Sequence, residues 1–551
     1  MRTLLPITLS LLAGCGGSVE VPNEGDPTQT GDSGTTTDTG GPLPTTNCSA
    51  ALSIELAAPV AELRSKLAFA IKLTTSDPGG AAGDHPLKIS LMKDGVAVKS
   101  LVDGAEPLGA FTTSFSPSEI TTLTPGTYTV EATLGCPSTA TTQKPATAKA
   151  ELFVARLGAV KINIGAGDGA RVPLMYNAVG GIALNAFPIT DTTTTTSMAI
   201  ATGEPDLDTK DGVARVFPDV WTELTTPKTD AMGGVVEEGV SYPVSLKAGT
   251  KPDVTLSLGK TAKGGPAIPT GAPPIRLVLE GAAATDAPMA ETVKLRLDAS
   301  PVEKVGRYDV TLKWKFEAKD TTGWKPIPGA TQEAVVRFYG VLGNDIGTTA
   351  PNLPWVAVVD AATKKINGAT SDPVEVRKLL VQLVYEDFTL KYDRRNGASF
   401  YTSYTSGYSN ARFSLGSFLK RSYGNTVNCT DCASILSTYS NMIGAPLKYA
   451  IITGAPGTSG FSLNPIMGIG STTFGSPFDS GRMGFSYHAV TSPDGAKTIS
   501  DATLALDGDT DPKVAPQTKL LVQNVSGTEY LTRLSPGAPE YRYVDQITTV
   551  R

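Results

Sequence analysis

From residue 48 onward the chain alternates apolar with polar or small positions in short runs. Leu52, Ile54 and Leu56 form one such run, Leu67, Phe69, Ile71 and Leu73 a second, and Tyr128, Val130, Ala132 and Leu134 a third. A period of two, broken by turn residues such as Asp77-Pro78-Gly79 and Pro125-Gly126, predicts a β-sandwich over 48–156. The pattern continues over 157–345, where Val310, Leu312, Trp314 and Phe316 alternate strictly with Thr311, Lys313 and Lys315. A turn at Thr321-Thr322-Gly323 and a second apolar segment, Val335–Leu342, follow, so this stretch predicts one or two further sandwich modules.

After Pro351 the periodicity changes, and residues 373–386 predict a helix. A second helix is predicted to open at Asn428-Cys429-Thr430-Asp431-Cys432. Asn428 is a good N-cap, Asp431 stands at the third helical position, and Ile435, Leu436, Tyr439 and Ile443 form an apolar face. Gly444 and Pro446 supply the stop signals. Cys429 would then occupy the first helical position, where free N–H groups and the helix dipole favour a thiolate. Leu447 to Ile452 predict a buried strand, and Gly484 to Val490 another that carries His488. The chain turns at Pro493-Asp494-Gly495 and returns through Lys497 to Asp501. A two-residue hairpin loop at Asp494-Gly495 would set His488 opposite Asp501, whereas a type I turn with Gly495 in a bulge would set it opposite Ser500. Spacing alone leaves both registers open.

The five cysteines fall into three groups by position. Arg2 and the apolar run Leu4–Ala13 read as a secretory signal over 1–15, ending Leu12-Ala13-Gly14-Cys15. Residues 16–47 are mostly Gly, Thr, Asp, Pro and Ser, without an aromatic residue, Lys or Arg, a composition that predicts a disordered tether. Cys48 shares the even register of Leu52, and Cys136 continues that of Leu134, so both thiols are expected on the apolar side, joined as a disulfide in an exported chain. Cys429 and Cys432 form the third group. Their spacing is compatible with a disulfide that would mask a nucleophile, while Cys432 also suits a structural thiol on the apolar face.

Composition removes several function classes. Lys and Arg number 47 against 53 Asp and Glu, a net charge of −6, with charged residues only 18% of the chain. Nothing supplies the basic stripe that nucleic acid requires. Only two histidines exist, His85 and His488, so a three-histidine metal centre is impossible. Asp206, Asp208 and Asp211, and again Asp507, Asp509 and Asp511, lack calcium-loop spacing and read as solvated turns, and the five threonines 192–196 as an exposed loop. No metal and no cofactor is expected.

Three resemblances add to this reading. The Leu-Ala-Gly-Cys ending resembles the lipobox of bacterial lipoproteins, which implies acylation at Cys15 as the mature N-terminus. Segment 48–156 resembles an immunoglobulin-like module in architecture. In the C-terminal part, Cys429-Thr430-Asp431-Cys432-Ala433, Gly444-Ala445-Pro446-Leu447-Lys448-Tyr449, His488-Ala489 and Asp501-Ala502-Thr503, in that order, resemble the transglutaminase-like superfamily. The resemblance covers roughly residues 370–505. It implies a Cys429 nucleophile, a His488 base and then acid, and an Asp501 that orients His488. Val490 stands where that family carries Trp after His-Ala, and no Trp occurs after Trp355. Oxyanion donors would then be the Cys429 N–H with a side chain such as Tyr423 or Asn428.

The fold class expected is therefore multidomain: all-β sandwich modules followed by an α+β, transglutaminase-like (papain-like) domain over 346–551. The expected function is amide hydrolysis or acyl transfer on a protein or peptide substrate, by an enzyme of the bacterial cell envelope, at the outer membrane or cell surface. The membrane would be met only through the N-terminal lipid. The alternative is a catalytically silent surface-binding or scaffold lipoprotein.

Overall fold

The computed structural model describes residues 47–62, 69–81, 83–115, 123–155, 157, 160–164, 171–172, 199–202, 244–258, 268–289, 292–343, 354–406, 408–509, 515–516 and 518–550. Cys15, the tether to residue 46, Leu67, the threonine run, Asp206, Asp208, Asp211 and Asp511 lie outside them.

Two sheets form the first sandwich. One has five strands in the order Val60–Glu62, Ala146–Ala155, Gly126–Leu134, His85–Lys93 and Val96–Glu106; the other has Ala51–Leu56, Phe69–Ser76 and Gly109–Phe115. The alternation read from the sequence turns inward as expected, with Tyr128, Val130, Ala132 and Leu134 buried against Phe69, Ile71 and Leu73. Cys48 and Cys136 are joined as a disulfide. The bond sits apart from the main core, in a small cluster with Ala81 and Ala140, because Cys48 belongs to a separate short strand, Asn47–Ser49, paired with Thr142–Lys144. Closing a loop between residues 88 apart in sequence stabilises the module by roughly 4–5 kcal/mol on the chain-entropy account.

The middle region folds around one buried core that two sheets share, with Trp314, Phe316 and Phe338 at its centre. Its longest hairpin is Gly306–Asp320 with Gly323–Val341, and Asp320 Oδ1 accepts from Thr322 N–H (2.7 Å) and Gly323 N–H (2.9 Å) to fix the tight turn. The described strands here thus make a single sandwich.

The C-terminal part is mixed helix and sheet. Five strands run in the order Met467–Gly468, Thr498–Asp507, Tyr487–Ser492, Lys448–Thr453 and Glu540–Gln546, and Lys519–Ser526 pairs with Thr498–Asp507. Helices Val356–Ile366, Pro373–Gln382 and Cys429–Met442 pack with this sheet into a single core. The helix expected over 373–386 runs to Gln382 and widens into a π-helical turn, Leu383–Asp387. Helix Val356–Ile366 has no counterpart in the sequence reading. Its N-cap, Trp355, offers no capping side chain, and Val356, Val358 and Val359 are β-branched and indistinguishable from strand by propensity.

Candidate active site

The helix Cys429–Met442 begins where its local chemistry requires. Asn428 Oδ1 accepts from the Asp431 N–H (3.0 Å), and the Asp431 carboxylate accepts in return from the Asn428 N–H (3.4 Å), a reciprocal capping box. Asp431 also accepts from Ser399 Oγ (2.7 Å), Phe400 N–H (2.9 Å) and Tyr401 N–H (2.9 Å), so one carboxylate ties segment 399–401 to the helix start. Burial raises the Asp431 pKa, and these hydrogen bonds oppose it. At the far end Gly444 has φ of 79°, and a Cβ there would lie 2.2 Å from the Gly343 backbone nitrogen. All fourteen helical residues are buried, not only the apolar face legible in the sequence. Some polar members find local partners, Ser437 Oγ donating to the Ser434 carbonyl and Asn441 bonding both the N–H and the carbonyl of Leu447, whereas Ser434 Oγ and Thr438 Oγ1 have none among the described residues.

The strand that carries His488, Tyr487–Ser492, lies beside Lys448–Thr453, where His488 opposes Ile452. On its other side the one registered pair with Thr498–Asp507 is Thr491 with Ser500. Neither turn considered from the sequence is formed. Ser492 Oγ accepts from Asp494 N–H (3.2 Å) and Ala496 N–H (2.8 Å), and Gly495 and Ala496 both take positive φ, which builds a wider loop. Extending the observed register one residue sets Asp501 across from Val490, two residues from His488 on the same face. The two side chains meet as diagonal neighbours, and His488 Nε2 donates to Asp501 Oδ2 at 2.8 Å.

Asp501 is held from three sides. Besides His488 it accepts from Tyr530 Oη at Oδ2 (2.7 Å) and from the Thr503 N–H at Oδ1 (2.7 Å). Phe485 stacks on the imidazole, with ring centres 4.9 Å apart and planes 6° from parallel. Burial pushes the His488 pKa down, but Asp501 and then Cys429, each by charge and by hydrogen bonding, outweigh it and raise the value to about 10. The imidazole is therefore protonated at neutral pH. Its Nδ1 is buried and has no hydrogen-bond partner among the described residues. Cys429 is close enough to act on the ring electrostatically.

The two thiols of the third group separate. Cys429 is 4% exposed and packs with Ala433, Tyr449, Ile451 and Ala489, whereas Cys432 is fully buried in the main core. Both are free, so the masking disulfide considered from their spacing is not formed. They sit three residues apart on a helix wedged between two clusters, and each thiol enters a different one. Burial pushes the Cys432 thiol well up, which suits an inert structural group.

The two side chains named from the sequence as oxyanion donors are engaged elsewhere or exposed. Asn428 is committed at both ends, its Nδ2 donating to the Gly397 carbonyl (2.9 Å) and its Oδ1 capping the helix. Tyr423 is 55% exposed and packs on Tyr401 and Phe400. Tyr392, which the sequence gave no reason to single out, is near enough to Cys429 to feel its charge. Its two-residue strand, Lys391–Tyr392, pairs with Thr426–Val427 just ahead of the helix start. Burial and then the charge of Cys429 raise the Tyr392 pKa, its ring lies edge-on to Phe478 and packs against Phe485, and its hydroxyl has no partner among the described residues. Tyr392 also lines a cavity of about 360 Å³ with Asp393, Arg394, Arg395, Gly468 and Asp479.

No protein-family profile matches the chain, and no curated protein matches it. Among solved structures, the chain is similar to fibronectin(III)-like modules of Clostridium thermocellum CbhA, at 10% identity over 52% of this chain and 93% of that one, with a TM-score of 0.18. A bacterial ice-binding adhesin gives 8% identity over 54% and 98%, with a TM-score of 0.15. CfaE, the adhesive subunit of CFA/I fimbria of enterotoxigenic Escherichia coli, gives 8% over 54% and 89%, with a TM-score of 0.14. Scores of this size bear on no functional question; the chain's own sheets make the N-terminal portion a series of β-sandwich modules.

Proposed function

We propose that the C-terminal part is a thiol enzyme of the transglutaminase-like kind that hydrolyses amides or transfers acyl groups on a protein or peptide. The observation that carries this reading is the buried His488–Asp501 bond of 2.8 Å, with the other imidazole nitrogen left to Cys429. In the proposed cycle the Cys429 thiolate attacks a carboxamide carbonyl, and His488 gives its proton to the departing amine. Water or a second amine, relieved of a proton by His488, then releases the thioester. Asp501 keeps the imidazole oriented and offsets its charge. The Cys429 N–H at the first helical position has no intrahelical partner, and with the Tyr392 hydroxyl it would hold the oxyanion. The β-sandwich modules would position the enzyme on a polymeric substrate, and the disulfide fits the oxidising compartment expected for an exported, lipid-anchored chain.

Incorporation of a fluorescent primary amine into a glutamine peptide, and cleavage of internally quenched peptides, measure transfer and hydrolysis separately. Iodoacetamide labelling identifies the reactive sulfur. Activity that survives both Cys429→Ala and His488→Ala refutes the triad. A second reading, a silent domain in a surface-binding or scaffold protein, is favoured by the enclosure of the group: Cys429 is 4% exposed, Asp501 2% and His488 0%. A Cys429 that resists labelling in the folded chain under all conditions supports that reading.

A further inference from the structure

The first sandwich contains a second grouping of sulfur, imidazole and carboxylate. A sulfur of Cys48, a ring nitrogen of His85 and a carboxylate oxygen of Asp77 lie within 4.8 Å of one another, and both the His85 and Asp77 side chains are 1% exposed. The orientation of His85 is fixed from behind. Its Nδ1 lies 3.0 Å from the Gly135 carbonyl oxygen, which can only accept, so Nδ1 carries a hydrogen. Nε2 is buried, has no hydrogen-bond partner among the described residues, and lies 3.7 Å from Asp77 Oδ2. Asp77 is equally constrained: Oδ1 accepts from Ser49 N–H (2.7 Å) and Gly79 N–H (2.9 Å), and Oδ2 accepts from Ala81 N–H (3.0 Å).

A ring nitrogen aimed at a carboxylate and a sulfur, with its partner nitrogen donating to a backbone carbonyl, is the arrangement of a metal-ligating histidine. Ligand atoms around tetrahedral zinc stand about 3.3–3.8 Å apart, close to the 3.7 Å seen here. Only the state of the sulfurs prevents binding, since a disulfide offers no thiolate. We propose that Cys48, Cys136, His85 and Asp77 form a zinc site that opens when the disulfide is reduced.

A dithiol can reduce the bond by exchange. Its thiolate attacks the sulfur of Cys136, the half-buried partner, and Cys48 leaves as a thiolate beside His85. The second thiol of the reductant then attacks the mixed disulfide and frees Cys136. Two electrons pass to the protein, the dithiol closes to its own disulfide, and two protons end on the cysteines. Zinc binding displaces those protons to solvent and joins two thiolates, Nε2 and one carboxylate oxygen.

The full chain, reduced with a phosphine under nitrogen, desalted and titrated with Co²⁺, tests the proposal. One equivalent should bind with tetrahedral d–d bands and an intense thiolate-to-metal absorption, and the unreduced chain should show neither. The signal should persist in Cys429→Ala/Cys432→Ala, which removes the other thiol pair. His85→Ala and His85→Gln should each lower the affinity on the order of 100-fold or more, and circular dichroism confirms that they fold. A reduced chain that takes up no Co²⁺, folded or not, overturns the proposal. So does a signal that is unchanged in both His85 variants or lost in the Cys429/Cys432 variant.

Discussion

Asp501→Asn is the sharpest perturbation of the proposed active site, because it keeps the side chain's shape and removes its charge. In the native protein the His488 pKa stands at about 10 against an ordinary value near 6.5, with burial opposing and Asp501 the leading cause of the rise. That difference corresponds to on the order of 5 kcal/mol of extra proton affinity in the folded state. A raised pKa means that the folded chain binds one more proton than the unfolded chain between pH 6.5 and 10. The stability this provides is fully present below 6.5 and is lost as pH rises through 10. Without the carboxylate, burial prevails and the imidazole becomes neutral at pH 7. Asp501→Asn should therefore cost about 3–5 kcal/mol at neutral pH and flatten the decline in stability between pH 6.5 and 10. Denaturant melts across that range, taken as the difference between variant and native chains, cancel the titration of other groups. Imidazole NMR gives an independent check, since the chain has only two histidines and His85→Ala identifies the remaining signal. A native His488 that is neutral at pH 7, or a variant that keeps the native pH slope, refutes the ion-pair argument.

Three further outcomes follow from the same geometry. Tyr392→Phe should lower kcat on the order of 100-fold with KM little changed, read by steady-state kinetics; an unchanged kcat removes the hydroxyl from the oxyanion site. Asn428→Ala removes both the helix cap and the bond to Gly397, and should cost roughly 1–3 kcal/mol in denaturant melts. Gly444→Ala meets fixed backbone at Gly343 and a left-handed φ at once, so a loss of about 2–4 kcal/mol is expected in thermal or denaturant unfolding.

What was legible in the sequence was local. The helix start at Cys429 could be read because the cap, its reciprocal carboxylate and the glycine stop all lie within sixteen residues of one another. Strand faces such as Tyr128 to Leu134 were readable because alternation encodes burial directly. The His488–Asp501 contact was named, but through registers the chain does not use: Ser492 folds its hydroxyl over the turn and shifts the pairing, a bond that spacing does not announce. Tyr392 was invisible because it comes from a two-residue strand far upstream, placed only by its pairing with Val427. The total burial of the Cys429 helix was equally hidden, since the sequence named only the apolar face Ile435, Leu436, Tyr439 and Ile443, and polar Ser434, Ser437 and Thr438 are buried as well.

One chain thus assembles cysteine, histidine and a carboxylate twice, and the partner of the far ring nitrogen separates the two chemistries. At His488 that partner is Asp501, at 2.8 Å, so the carboxylate charges and orients the ring and leaves the other nitrogen free for the proposed Cys429 nucleophile. In the proposed cycle such an imidazole would move protons. At His85 the partner is a neutral backbone carbonyl, and the carboxylate lies instead on the same side as the sulfur, 3.7 Å from the free nitrogen. Three donor atoms then converge on one point, which favours a cation over proton transfer. The distinction has a direct consequence in the variants. Replacing Asp501 with Asn should abolish the proton chemistry at His488 while leaving Co²⁺ uptake by the reduced chain intact, and Asp77→Asn should do the reverse.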